Sequence, residues 1–185
     1  MEIERPEELL LQIVKILDKL EIPYIITGGF AVAVLAKPRF TADIDIVVKI
    51  EPKSISKLTK ELLAIDKNVY ISQEAMEDAI QNNGEFNFIH PQTGLKVDFW
   101  VKKYPLGQFE RRIIKKINGQ KINFISPEDL ILSKLIWHKE GQGAKQIEDV
   151  KSILEIAKPN LSYIKKWAEQ QETIDILEDI LKNKE

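Results

Sequence analysis

The chain has 185 residues, 44% hydrophobic and 30% charged, with a formal net charge of -2, a composition that excludes wholesale disorder and suits one compact domain with a helical appendage. It has no cysteine and two histidines, which excludes disulfides, thiolate nucleophiles, cysteine-ligated zinc and a His-rich metal centre. Near-neutral charge confines any polyanion-binding surface to a local patch, and the lack of a long apolar run leads us to expect a soluble, cytoplasmic protein without a membrane partner.

Apolar residues Leu9, Leu10, Ile13, Val14, Ile16 and Leu17 recur at helical spacing, so the first element is an amphipathic helix from about Pro6 to Leu20, closed by Pro23. Tyr24 to Thr27 reads as a short strand that stops at the Gly28-Gly29 turn. Phe30 to Ala36 follows as a helix, ended by Lys37 and Pro38. Ala42 to Ile50 is a strand rich in β-branched residues, and Pro52 opens a helix continued by Ile55, Leu58, Leu62 and Leu63. A brief strand is expected at Val69 to Ile71 and a helix at Glu74 to Gln81. Two hairpins follow: Glu85 to His90 with Gly94 to Val101 through Pro91-Gln92-Thr93, and Arg111 to Ile117 with Lys121 to Ile125 across Asn118-Gly119.

Beyond Ser126 the period turns helical and stays so, beginning at the N-cap and first-turn pattern Ser126-Pro127-Glu128-Asp129. Helices are expected over Pro127 to Lys139, Ala144 to Ala157, Leu161 to Gln170 and Thr173 to Lys182. The expected class is therefore α/β (α+β), a mixed sheet flanked by helices in a core over 1–125, with a helical region over 126–185 packed on it.

The chemistry centres on Asp43 and Asp45. Residues two apart on a strand face the same side, so both carboxylates project together while Ile44 and Ile46 point into the core. Like charges held so close call for a cation, and an all-oxygen set suits Mg²⁺, with Mn²⁺ as the alternative. Asp98 sits on its own alternating strand, opposite in sense to Val97, Phe99 and Val101, and supplies a third carboxylate. Such acids can bind metals, activate a hydroxyl and stabilise departing pyrophosphate, and Asp98 can also accept the hydroxyl proton. Alone, an Asp-x-Asp on a strand is as readily a solvated sheet edge.

Gly28-Gly29, then Arg39-x-Thr41-x-Asp43-x-Asp45, then Asp98 on a later strand resemble the DNA polymerase beta-like nucleotidyltransferase superfamily. That resemblance implies a nucleotidyltransferase fold in which the glycine turn holds the phosphates of a nucleoside triphosphate, ATP among the candidates, and the three aspartates bind two Mg²⁺ ions. Pro127-Glu128-Asp129-Leu130 leading to Lys134, then Lys145-x-x-Glu148-Asp149-Val150, look like the helical region of AbiEii-type and related bacterial nucleotidyltransferases. On that resemblance Lys134 contacts the triphosphate, Asp149 supports the site, and Arg39 and Thr41 line the phosphate side. One departure is Gln146, where many relatives carry an acid, and it weakens the implied toxin-like role. From the residues alone, Lys134 is equally a solvated helical lysine and Asp149 an i, i+4 partner of Lys145.

The expected reaction moves a nucleoside monophosphate to a hydroxyl, on an RNA 3′ end such as that of tRNA, on a cognate partner protein, or on an antibiotic. The alternative is a non-catalytic, nucleotide-binding or antitoxin-like module. Lys102, Lys103, Arg111, Arg112, Lys115, Lys116 and Lys121 against Glu110 form a local basic excess that suits RNA, or equally protects an exposed hairpin from edge pairing. Trp100 shares the side of Asp98 and reads as packing rather than as a base-stacking group, while His90 and His138 read as structural or surface residues.

Overall fold

In the computed structural model the described residues are 3, 5–41, 43–101, 108–141 and 143–182. They form the expected class, a six-stranded mixed sheet with helices, organised as two units: Met1–Phe30 with Thr41–Phe124, and Ala31–Phe40 with Ile125–Glu185. Among the described residues no helix is long and apolar enough to cross a membrane.

The first unit begins with helix α1 (Pro6–Lys19), where proline takes the first turn, Glu7 and Glu8 complement the positive end of the dipole, and Leu9, Leu10, Ile13, Val14 and Leu17 are buried. Strand β1 (Tyr24–Thr27) runs directly into α2 (Gly28–Leu35), which starts two residues before the expected Phe30, and the chain turns at Gly28 with a positive φ of 63° that glycine adopts without strain. Strand β2 (Asp43–Val48) is followed by a 3₁₀ turn at Pro52–Ser54, helix α3 (Ile55–Leu63) and helix α4 (Gln73–Asn82). The hairpin β3 (Glu85–Ile89) and β4 (Lys96–Trp100) and the hairpin β5 (Ile113–Ile117) and β6 (Gln120–Phe124) complete the unit. Asn118 and Gly119 carry φ of 48° and 83°, the paired positive values of a tight hairpin turn.

The sheet order is β3-β4-β2-β1-β6-β5. The two hairpins and the β1/β2 pair are antiparallel, whereas β2/β4 and β1/β6 are parallel. The expected strand at Val69 to Ile71 is instead a single bridge, Tyr70↔Ile89. One sheet face is apolar: Ile44, Ile46, Phe86, Phe88, Val97 and Phe99 are all buried, with Phe86 and Phe99 stacked at 4.7 Å, and α1 packs on β2.

Strands β1 and β6 meet at the single register pair Ile26↔Phe124, and the buried phenol of Tyr24 lies beside this seam, where the backbone of Asn123 reaches it. Burial, with the charge of Asp18 behind it, pushes the phenol from 10.0 up to about 12, against the opposing influences of Asn123 and Arg112. The raised value makes the neutral phenol the form that folding favours, so its contribution is complete below pH about 10 and is lost as pH rises toward about 12. A drop of about 2–3 kcal/mol across that window is expected. Denaturant midpoints measured from pH 9 to 12 test it, and Tyr24→Phe should flatten the slope.

In the second unit, Ser126 caps α5 (Pro127–Lys139) by accepting the Asp129 N–H at 3.1 Å, as the sequence pattern anticipates. Helices α6 (Lys145–Ile156), α7 (Leu161–Gln170) and α8 (Ile174–Lys182) follow, with α5 packed against α6 and α7, and α7 against α8. The segment over 31–40 is fastened to α6: the Lys37 N–H donates to Ser152 Oγ at 2.9 Å and its Nζ pairs with Glu155 at 2.7 Å.

Candidate functional site

The register of β2 against β4 sets Asp45 opposite Asp98, Asp43 opposite Lys96 and Val47 opposite Trp100. Residues opposite each other share a sheet face, so Asp43, Asp45, Lys96, Asp98 and Trp100 all lie on the side away from the buried Ile44, Ile46, Val97 and Phe99. Strand β1 adds Thr27, opposite Asp45, and β3 adds Asn87, opposite Asp98.

Each acid is held differently. The Asp45 carboxylate lies against the Gly28 backbone: a Cβ on residue 28 would fall 1.8 Å from Asp45 Oδ2 and 2.5 Å from its Cγ. Its Oδ1 accepts the Trp100 indole N–H at 3.3 Å. The tryptophan expected to be mere packing thus orients an acid. Asp98 is buried. Its Oδ2 pairs with Lys96 Nζ at 2.9 Å, while its Oδ1 has no hydrogen-bond partner and the neighbouring Asn87 Oδ1 has none either. Asp43 is exposed, and its carbonyl accepts the Thr41 hydroxyl at 3.2 Å. The ammonium of Lys96 is stabilised first by its hydrogen bond to Asp98, with burial opposing and the charges of Asp98, Asp43 and Glu85 adding, so its pKa lies above the usual lysine value.

Among the described residues, no three His, Cys, Asp or Glu side chains converge into a group that could hold a metal ion, so Asp43, Asp45 and Asp98 do not make a closed cage. The donor set still fits a hard cation. Two carboxylates face each other across β2 and β4, and one oxygen of Asp98 is buried with no partner. Mg²⁺ commonly takes one or two carboxylates and completes its shell with phosphate and water oxygens.

Gly28 is irreplaceable on this geometry. Alanine there would need a φ of 63° and would drive the Asp45 carboxylate from its place. Because displacement of a reacting group by about 1 Å can cost about a hundredfold in rate, Gly28→Ala is expected to lower transfer about a hundredfold, measured as initial velocity on a folded variant.

Arg39 and Lys134, expected on the phosphate side, meet at Asp149 in the second unit. Arg39 grips the carboxylate with two bonds, Nε to Oδ1 at 2.9 Å and Nη2 to Oδ2 at 3.0 Å, and Lys134 Nζ adds a third at 2.9 Å. The side chains of Lys134 and Asp149 are each only 3% exposed, so Lys134 is not a solvated helical lysine and Asp149 does not serve Lys145. Lys134 also lies 5.0 Å from the Trp137 ring centroid. Asp149 thus accepts from two cations at once. Gly29 is the second residue of α2.

His90 contacts Thr93 Oγ1 at 2.9 Å and His138 the Gly143 carbonyl at 3.2 Å, each a local contact. On the β5–β6 hairpin Lys115, Lys116 and Lys121 are exposed, with Lys116 directly opposite Lys121. Arg112 bonds Asn123 Oδ1 and the Phe109 carbonyl. Lys102 and Lys103 lie outside the described residues.

Residues 4–184 match the family described as "Nucleotidyltransferase of unknown function (DUF6036)". The chain belongs to that family. Being of DUF6036, the protein is a nucleotidyltransferase. Its fold resembles that of the antibiotic-resistance factor ANT(2″)-Ia in complex with adenylyl-2″-tobramycin, at TM-score 0.64 and 15% identity over 90% of this chain and 96% of that one. It is likewise similar to an antigenic nucleotidyltransferase-like protein from Paracoccidioides brasiliensis, at TM-score 0.57 and 25% identity over 97% of this chain and 94% of the other. The lincosamide antibiotic adenylyltransferase LnuA, in its lincomycin-bound structure, matches the DUF6036 protein at TM-score 0.56 and 19% identity over 83% and 99% of the two chains. No curated protein matches the sequence.

Proposed function

We propose that the protein moves a nucleoside monophosphate from a nucleoside triphosphate to a hydroxyl acceptor and releases pyrophosphate, using Asp43, Asp45 and Asp98. The observation that carries the reading is the Asp45–Asp98 register pair with Gly28 pressed against Asp45. When bound at these carboxylates, Mg²⁺, or Mn²⁺ in its place, supplies charge neutralisation for the phosphates. Trp100 keeps Asp45 oriented, Gly28 makes room for that carboxylate, the start of α2 at Gly28 and Gly29 offers backbone N–H groups to phosphate oxygens, and Asp98 is the base candidate for the acceptor hydroxyl. On the sequence pattern, Thr41 belongs to this proposal as a triphosphate contact, and Arg39 and Lys134 would join it only on leaving Asp149.

For the acceptor we favour an RNA 3′ end, tRNA included, or a hydroxyl of a partner protein. The support is the exposed set Lys115, Lys116 and Lys121, with Lys116 directly opposite Lys121, which suits a polyanion. A cationic aminoglycoside is the rival acceptor and gains nothing from those charges. The helical pattern at Lys134 and Asp149 extends the proposal to an AbiEii-like role beside an antitoxin protein in the cytoplasm, and a non-catalytic nucleotide-binding or antitoxin-like module is the alternative from another class.

The deciding experiment supplies each α-labelled NTP with Mg²⁺, alone and with total tRNA, cell lysate or aminoglycosides. Label should appear on RNA or protein and vanish with a chelator. A parent protein that binds no NTP in calorimetry and labels nothing overturns the proposal.

A further inference from the structure

Strand β4 carries a cation two residues before its acid, and the pleat sets both on one face. Lys96 stands opposite Asp43 in the register and reaches forward to Asp98, Nζ to Oδ2 at 2.9 Å. It is therefore flanked by two of the three acids on which the proposed function rests. The bond leaves Asp98 divided: Oδ2 is taken by the ammonium, and Oδ1 is buried without a partner. The side chain of Asp98 is 10% exposed and that of Lys96 is 37% exposed, so the pair is shielded on the acid's side and open to water on the lysine's.

From this arrangement we infer that Lys96 is a built-in counter-cation of Asp98, which lowers the site's affinity for a free divalent ion so that the metal enters chiefly with the nucleotide's phosphates. The inference rests on the proposed nucleotidyl-transfer reading and adds a residue to it. A divalent cation arriving alone meets one carboxylate already half neutralised and an ammonium beside it, and both weaken its binding by direct charge repulsion. A triphosphate brings several negative charges of its own, which outweigh one ammonium. Lys96 thus acts as a positioning and gating residue, not as a catalytic one. It also relieves the repulsion among Asp43, Asp45 and Asp98 when no metal is present, and its flexible four-carbon stem lets it yield Oδ2 without disturbing the strand.

The test measures Mn²⁺ binding in the absence of nucleotide, by loss of the free-ion signal in electron paramagnetic resonance, for the parent, Lys96→Met and Lys96→Arg. Lys96→Met is expected to bind Mn²⁺ about tenfold more tightly, and Lys96→Arg to match the parent. The gain should disappear in Lys96→Met combined with Asp98→Asn. Lys96→Gln, polar at a partly exposed position, serves if methionine impairs folding. Binding by the methionine and glutamine variants that equals or falls below the parent's overturns the inference. If Mn²⁺ binding is unaffected by Asp45→Asn and Asp98→Asn, the carboxylate site itself is wrong. If binding depends on those acids but is indifferent to Lys96, only the role of Lys96 is wrong.

Discussion

Asp45→Asn is expected to slow nucleotidyl transfer about a thousandfold, the rate equivalent of several kcal/mol of charge stabilisation at the transferring phosphoryl group. The substitution preserves shape. Its amide oxygen can still accept the Trp100 indole N–H, which Asp45 Oδ1 now accepts at 3.3 Å, and its planar end fits the same space beside Gly28. What is lost is the negative charge. Melting behaviour should therefore stay near the parent's while the initial rate of label incorporation collapses. Asp98→Asn should behave alike, with some loss of stability because Lys96 loses its ion pair. An Asp45→Asn protein whose rate remains within about tenfold of the parent's removes Asp45 from the machinery.

Asp149→Ala is expected to cost about 3–5 kcal/mol of stability, the usual penalty for removing one partner of a buried ion pair. Lys134 and Asp149 are each 3% exposed, so the ammonium cannot turn to water once its carboxylate is gone. Arg39, at 22% exposed, recovers part of its solvation and loses a bidentate partner. Urea denaturation gives the number. The double replacement of Lys134 by Met and Asp149 by Leu should recover much of the loss, because buried pairs exchanged for apolar residues are often neutral. A single Asp149→Ala costing less than about 1 kcal/mol would mean that the carboxylate carries little of the cluster.

The two substitutions fall on parts of the fold that the sequence reveals to different degrees. The strand alternation around Asp43, Asp45 and Asp98 could be seen directly, since period two places acids on one side and Ile44, Ile46, Val97 and Phe99 on the other. Asn118-Gly119 and Ser126-Pro127 were equally plain, because turn and cap chemistry is local. The Arg39–Asp149 grip was not legible: the residues lie 110 positions apart, and local spacing offers Asp149 only the nearby Lys145. Lys96 and Trp100 were within reach of the alternation that singled out Asp98, yet their tasks appear only when β4 is set in register beside β2. The glycine turn was read for phosphates. That it also gives up its Cβ volume to a carboxylate depends on β2 lying beside it in the fold. At Val69 to Ile71 β propensity promised a strand, but only Tyr70 finds a partner, Ile89.

The pairing of β2 with β4 carries a further consequence for mutational robustness. A slip of one residue between them would turn Asp43 and Asp45 inward and Ile44 and Ile46 out to water, so the misaligned state is penalised by the core itself. Facing Asp45 toward Asp98 therefore requires no dedicated stabilising contact. Selection that only preserved solubility and folding would go on holding two empty positions face to face, and a chain that had lost its aspartates could regain the arrangement by point substitution, without rebuilding the sheet.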